Sequence, residues 1–286
     1  MEDATFECTL VNQFPVELYF AIGGLVGETP MVCGGTLGSG SKSKACYTLQ
    51  GNGAWMEDQS AALNRARVNA ANGLAVWNNQ LVVTGGYSPS LSQYLQTIEL
   101  VSPNTRAKTL SFTLPLGLGL ACIVKWDDDT FFVIGGYSTR SSRSKETFFI
   151  NMGNETVTQG PELIDGRRYL ACQEMIVGGE PFIVVAGGSG AKTKTEMLSK
   201  SNFANGWVQG ADLPVEISHH ELVASSDKKF LYTIGSAGSN SNDIYKLSCQ
   251  SNRDCQWTEA ETKLKYGRFG GVAMHIPDDL ASKLCK

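Results

Sequence analysis

Apolar residues in this chain gather in short runs separated by Gly, Asn, Asp and Ser, and one run recurs. Residues Thr130 to Tyr137 read TFFVIGGY, a β-branched and aromatic stretch ending in the glycine pair Gly135 and Gly136. This is the pattern of a strand that stops where the backbone needs a positive φ or a close approach. Versions of the phrase stand at MVCGG (Gly34, Gly35), LVVTGGY (Gly85, Gly86) and IVVAGG (Gly187, Gly188), with a degraded copy, YTIGSAG, at Gly235. Successive first glycines lie 51, 50, 52 and 48 residues apart, so the chain is an array of repeats of roughly 50 residues.

Before each glycine-ended strand stands a turn and an earlier apolar strand. These first strands are expected at Leu18 to Gly24, Asn69 to Trp77, Leu120 to Trp126, Leu170 to Val177 and Leu222 to Ser226, each joined to the next strand by Asn-, Asp- or Gly-bearing hairpin turns. A sixth is expected at Gly270 to His275. A polar loop follows each glycine pair and leads to a third strand, at Ala45 to Leu49, Leu95 to Val101, Glu146 to Asn151, Thr195 to Ser199 and Asp243 to Ser248. A fourth strand carries Trp55, Trp207 or Trp257 in three of the repeats. Four antiparallel strands per repeat describe a propeller blade, which buries its faces only by stacking on its neighbours.

The glycine pair, a following tyrosine (Tyr87, Tyr137) and a tryptophan 19 to 20 residues after the second glycine (Trp207, Trp55) resemble the kelch repeat over residues 17 to 276. The resemblance implies an all-β, six-bladed kelch propeller occupying residues 1–286 as one domain. Its glycines would sit near the tight centre and its tryptophans between blades. The sixth blade is expected to close by pairing the chain ends, with Ala4 to Val11 as an outer strand. The native chain is expected to begin upstream of Met1 with a signal sequence. Closure hides sheet edges, which favours a monomer.

Composition sharpens this picture. The formal net charge of −4 argues against nucleic acid, and no apolar run reaches the length of a membrane span. Eight cysteines suit an oxidising, extracellular setting if they pair sensibly, with a cytoplasmic location as the alternative. The blade plan suggests Cys33 with Cys46, Cys249 with Cys255, Cys122 with Cys172, and Cys8 with Cys285. Buried free thiols are the alternative, strongest for Cys122 and Cys172. Neither CxxC spacing nor an adjacent histidine supplies a zinc cluster, so no metal or cofactor is expected. Asn154-Glu155-Thr156 is a glycosylation sequon in a third-to-fourth strand turn.

Chemistry is sparse. Of three histidines, His219 and His220 open a first strand and His275 lies near the end of another. The glycine-rich GGTLGSGSKSK stretch leads to a strand and reads as a propeller loop. The Asp127 to Asp129 run reads as a solvated turn rather than a calcium site. Loops after the glycine pairs carry Lys42, Lys44, Arg140, Arg143, Lys145, Lys192 and Lys194, while the opposite turns are acidic. A molecule electrically polarised along its axis is therefore expected.

Arg67, Arg168 and Arg268 stand at positions similar to the arginines lining the peptide pocket of kelch adaptor proteins. The resemblance implies that they ring a channel mouth with Tyr87 and Tyr137, where arginine would bind carboxylates in bidentate fashion. The expected function is a non-catalytic module that binds a protein, an acidic peptide or a glycan. The alternatives are an intracellular scaffold or ubiquitin-ligase substrate adaptor and, from another class, a propeller enzyme acting on an acidic sugar.

Overall fold

The structure is a computed structural model and describes residues 13–238, 241–251 and 254–284. Five four-stranded antiparallel sheets follow one another along the chain. The first contains Ile22–Val26, Thr29–Cys33, Ala45–Leu49 and Trp55–Ala62. The second contains Val76–Trp77, Gln80–Thr84, Thr97–Ser102 and Thr105–Thr113. The third contains Cys122–Lys125, Thr130–Ile134, Thr147–Asn151 and Thr156–Gln159. The fourth contains Ala171–Val177, Glu180–Ala186, Thr195–Ser199 and Val208–Gln209. The fifth contains Glu221–Ala224, Phe230–Ile234, Tyr245–Ser251 and Asp254–Glu259.

Neither face of the third sheet is left bare. Ile123, Val133, Phe131 and Ile150 of the third blade pack with Val82, Ile98 and Leu100 of the second. Its other face sends Cys122, Phe132 and Ile134 against Cys172, Ile183 and Val185 of the fourth. Central strands buried on both faces are therefore continuously apolar, as TFFVI is, rather than alternating.

The glycine pairs are the latch between blades. At Gly34, Gly85, Gly135, Gly187 and Gly235, φ lies between 59° and 72°, and a side chain would run into the carbonyl of Arg67, Leu118, Arg167, Ile217 or Arg268 in the next repeat. The second residue of each pair then donates its N–H to that same carbonyl, at 2.8–3.0 Å from Gly35, Gly86, Gly136 and Gly188. Ser236 makes the equivalent bond at 2.9 Å, so the degraded fifth copy keeps the latch without its second glycine. Gly34→Ala is expected to cost about 1–3 kcal/mol through the forced φ and the crowded carbonyl, measured by denaturant unfolding. A neutral result would remove the latch.

Two of the first strands differ from expectation. The Asn69 to Trp77 run is a regular strand only at Val76–Trp77. Upstream, Gly73 (φ 124°) lets the backbone lean onto the third blade, where Asn72 N–H donates to Ala121 and Ile123 N–H donates to Asn72. Gly270 to His275 forms no strand, and no second strand follows it among the described residues. Beyond it a short helix, Asp278–Leu284, places Leu280 against Leu49, with Leu25, Trp55 and Ile276 around them. Asp278 and Asp279 in its first turn and Lys283 in its last suit the helix dipole. The proposed strand Ala4 to Val11 and the pair Cys8–Cys285 lie outside the described residues.

The other three disulfides pair as expected. Cys33–Cys46 and Cys249–Cys255 join directly opposed residues of neighbouring strands, with Cα atoms 4.1 and 4.0 Å apart. Cys122–Cys172 instead joins the third blade to the fourth. Asn154 is exposed in the turn between third and fourth strands.

Candidate functional site

The inner strands start from a closed circle of backbone hydrogen bonds. Asn69 N–H donates to Phe20 (3.4 Å), Leu120 to Asn69 (2.8 Å), Tyr169 to Leu120 (2.9 Å), His219 to Tyr169 (3.0 Å), Gly270 to His219 (2.8 Å) and Phe20 to Gly270 (2.6 Å). The six residues are 49 to 51 positions apart, and all six have φ between 55° and 60°. Left-handed backbone is uncommon for Phe, Leu, Tyr and His, and such outliers persist where surrounding structure over-determines them. Here the circle itself is that constraint. It also identifies Gly270 as the sixth-repeat equivalent, although no sixth sheet is formed among the described residues.

The same six residues line a small central cavity of ≈ 30 Å³, room for about two waters. Around its mouth their neighbours build an aromatic collar. Tyr19 meets Phe20 edge-on, and Phe20 lies 5.8 Å from His219 and 6.3 Å from Tyr169. His219 stacks on Tyr169 at 3.6 Å and reaches Phe269 at 6.2 Å. Tyr94 bridges Tyr87 (5.4 Å) and stacks on Tyr137 (4.6 Å). A short pairing of Tyr87–Ser88 with Gln93–Tyr94 holds this bridge.

Of the three arginines expected at the mouth, Arg168 stands there beside Tyr169 and Arg67 does not. The carbonyl latch makes Arg67 equivalent to Arg167 and Arg268, not to Arg168. Arg67 is buried, bonded to Glu99 and to the Gly85 carbonyl, and cannot line a mouth. Arg167 repeats this with Glu196 (2.5 Å) and the carbonyl of Gly187 (3.0 Å). Each carboxylate also accepts backbone N–H groups of the preceding loop, at Asn64 for Glu99 and at Ile164 and Asp165 for Glu196. These are structural clamps. Arg268 is exposed on the sixth repeat's entry loop.

Arg168 differs by one position and by environment. Its guanidinium lies 5.5 Å over the Tyr169 ring, its buried Nε has no partner, and no carboxylate pairs with it among the described residues. Tyr94 is pushed up by burial, with nearby Tyr169 and Tyr137 adding to the shift and Arg168 opposing it. Burial, then Arg168, lowers His219 to about 4. The imidazole is neutral at pH 7, and its Nδ1 is 2.9 Å from the Ser218 hydroxyl.

The expected axial polarity is partly offset by local ion pairs. Arg140 pairs with Glu146, Lys192 with Glu216 and Lys194 with Asp212, while Lys145 donates to the Ile164 carbonyl. On the opposite turns Asp128 meets Lys125 and Asp227 meets Lys229. Arg143 is exposed beside this network.

Two buried polar groups lie beside the circle: Glu221, which the sequence reading did not single out, and His220, which it read only as the opener of a first strand. Glu221, 6% exposed, is raised to about 8 by burial, partly opposed by a hydrogen bond from Asn72. His220, 1% exposed, is lowered to about 3, by burial first and then by His219 and Arg167. Among the described residues no group of three or more His, Cys, Asp or Glu is placed to hold a metal.

No protein-family model matches the chain, and no curated protein does. A solved structure described as "Structure of YjhT" is similar in fold, with a TM-score of 0.69 at 17% identity, covering 93% of this chain and 90% of that one. The fold is a β-propeller. At this identity the likeness bears on architecture alone, and the collar of this propeller is described from its own residues.

Proposed function

We propose that this propeller is of the kelch type and acts as a non-catalytic binding module outside the cell, with its partner seated on the axial collar. The observation that carries the reading is Arg168, a half-buried cation without a counter-charge among the described residues, framed by aromatic rings. Tyrosine hydroxyls and the neutral His219 ring add hydrogen-bonding capacity beside it. A group bearing a carboxylate, on an acidic peptide or a glycan, satisfies that cation and replaces the water lost around it. Rigid aromatics at the centre of a surface are also what strong protein contacts use. Three disulfides are consistent with an extracellular location.

The test is a surface-bound library of Asp- and Glu-bearing peptides and uronic-acid glycans. Arg168→Glu is expected to weaken capture by about tenfold or more, the scale of one charge-assisted contact, with thermal stability retained. Equal capture by the folded variant would exclude the collar as the docking site.

A further inference from the structure

The turns at the end of the molecule away from the collar hold one motif that the collar does not use. Asn154-Glu155-Thr156 is the only Asn-x-Ser/Thr sequence of the chain, and Glu155 at its centre is not the proline that would bar it. It lies in the hairpin between Thr147–Asn151 and Thr156–Gln159, where Asn151 and Thr156 are directly opposed. The antiparallel register fixes which end this is. Cys122–Lys125 runs outward from Leu120 of the circle, Thr130–Ile134 runs back, and Thr147–Asn151 runs outward again.

The turn is firmly built, yet it leaves the one atom that matters alone. Asn151 Nδ2 donates to the Thr130 hydroxyl (3.0 Å), and Asn151 Oδ1 accepts the Asn154 N–H (2.9 Å). Met152 is buried, and its N–H donates to the Asp129 carbonyl (2.7 Å). Glu155 takes a left-handed φ of 58°, and its carboxylate accepts a bond from the Ser111 hydroxyl of the second blade (2.9 Å). The Thr156 hydroxyl donates to Asn154 Oδ1 at 2.6 Å. That bond engages the oxygen of the carboxamide, while Nδ2 makes no hydrogen bond among the described residues. Asn154, Glu155 and Thr156 are all exposed.

We propose that Asn154 carries an N-linked glycan on the face of the propeller opposite the collar, an inference that rests on the extracellular setting proposed above. The step forms a bond from Asn154 Nδ2 to the anomeric carbon of an oligosaccharide donated by a polyprenyl pyrophosphate. The pyrophosphate leaves with the electrons of the broken C–O bond, one Nδ2 proton is released, and nothing is oxidised or reduced. Transfer meets the chain before it folds, so the fold decides whether the product is tolerated. A glycan is bulky and needs open solvent at its attachment atom. Attachment here breaks none of the bonds that hold the turn, keeps the Thr156 bond to Oδ1, and leaves the aromatic collar uncovered.

The experiment is expression of the whole chain behind a cleavable secretion signal in cultured animal cells, with the product mapped by mass spectrometry before and after peptide N-glycosidase. One modified position is expected, with the enzyme removing the glycan and converting Asn154 to Asp. Asn154→Gln and Thr156→Ala should each abolish the modification at unchanged melting temperature, and Thr156→Ser should keep it. A secreted chain that holds its three disulfides but is bare at Asn154 refutes the glycan and leaves the extracellular reading standing. A chain that, modified or not, fails to form those disulfides and to leave the cell, while the same sequence without the signal folds in the reducing cytosol, refutes the extracellular reading and the native glycan with it.

Discussion

Replacing Arg167 by Ala is expected to lower stability by about 3–5 kcal/mol, because it strands the Glu196 carboxylate in the core with only backbone donors for company. A urea titration should show the midpoint falling with little change in slope. The paired change Arg167→Met with Glu196→Leu should recover most of the loss, since an apolar pair of similar volume avoids dehydrating two charges. A drop below about 1 kcal/mol for the single variant would mean that the pair is solvated and the clamp unimportant. The same substitution should leave ligand capture by the folded fraction intact, which separates Arg167 from its neighbour Arg168.

Stability should also pass through a maximum near pH 6.5. Glu221 titrates at about 8 when folded and near 4.5 when unfolded, so the native state keeps a proton that the unfolded chain has released. Stability therefore falls as pH rises through that interval and levels off above about 8. His219 and His220 act in the opposite sense. Their folded values of about 4 and about 3 lie below the ordinary 6.5, so the unfolded chain takes up protons first and stability falls as pH drops below 6.5. From 4.5 to 6.5 the two imidazoles outweigh the one carboxyl. From 6.5 to 8 the carboxyl acts alone, at roughly 1.4 kcal/mol per pH unit, or about 2 kcal/mol in all. Thermal melts from pH 5 to 9 should show this profile, and Glu221→Gln should flatten the alkaline limb while leaving the acid one. An alkaline limb unchanged by Glu221→Gln would place the titrating group elsewhere.

Much of the architecture was legible because its constraint repeats in residue type. Only glycine tolerates both the left-handed backbone and the carbonyl pressed against it at Gly187 or Gly235, so the period surfaced as spelling. The pairs Cys33–Cys46 and Cys249–Cys255 were legible for a related reason: opposed positions on neighbouring strands leave few partners. The circle at the axis was not. Its members are Phe, Asn, Leu, Tyr, His and Gly, which share a backbone conformation and a hydrogen bond but no side-chain chemistry.

Placing Arg67 in the same position as Arg168 was wrong by a single residue. In RARVN and GRRYL the clamp is Arg67 in one and the first arginine, Arg167, in the other, and a one-residue slip exchanges core for mouth. The collar tyrosines were half found. Tyr87 and Tyr137 follow glycine pairs and were marked by them, whereas Tyr94 and Tyr169 enter from a loop and from the circle, where no local pattern points to them. Glu221 reads as an ordinary polar strand opener until the sheets are assembled around it.

Each of the six amides at the axis already has its carbonyl, and each carbonyl its amide. A visiting molecule thus meets main chain that is saturated, and must be greeted by side chains alone. Recognition and framework are in that sense written in different alphabets: exchanging a tyrosine, a histidine or an arginine on the rim rewrites what is held, while the wheel that carries them keeps turning out the same shape.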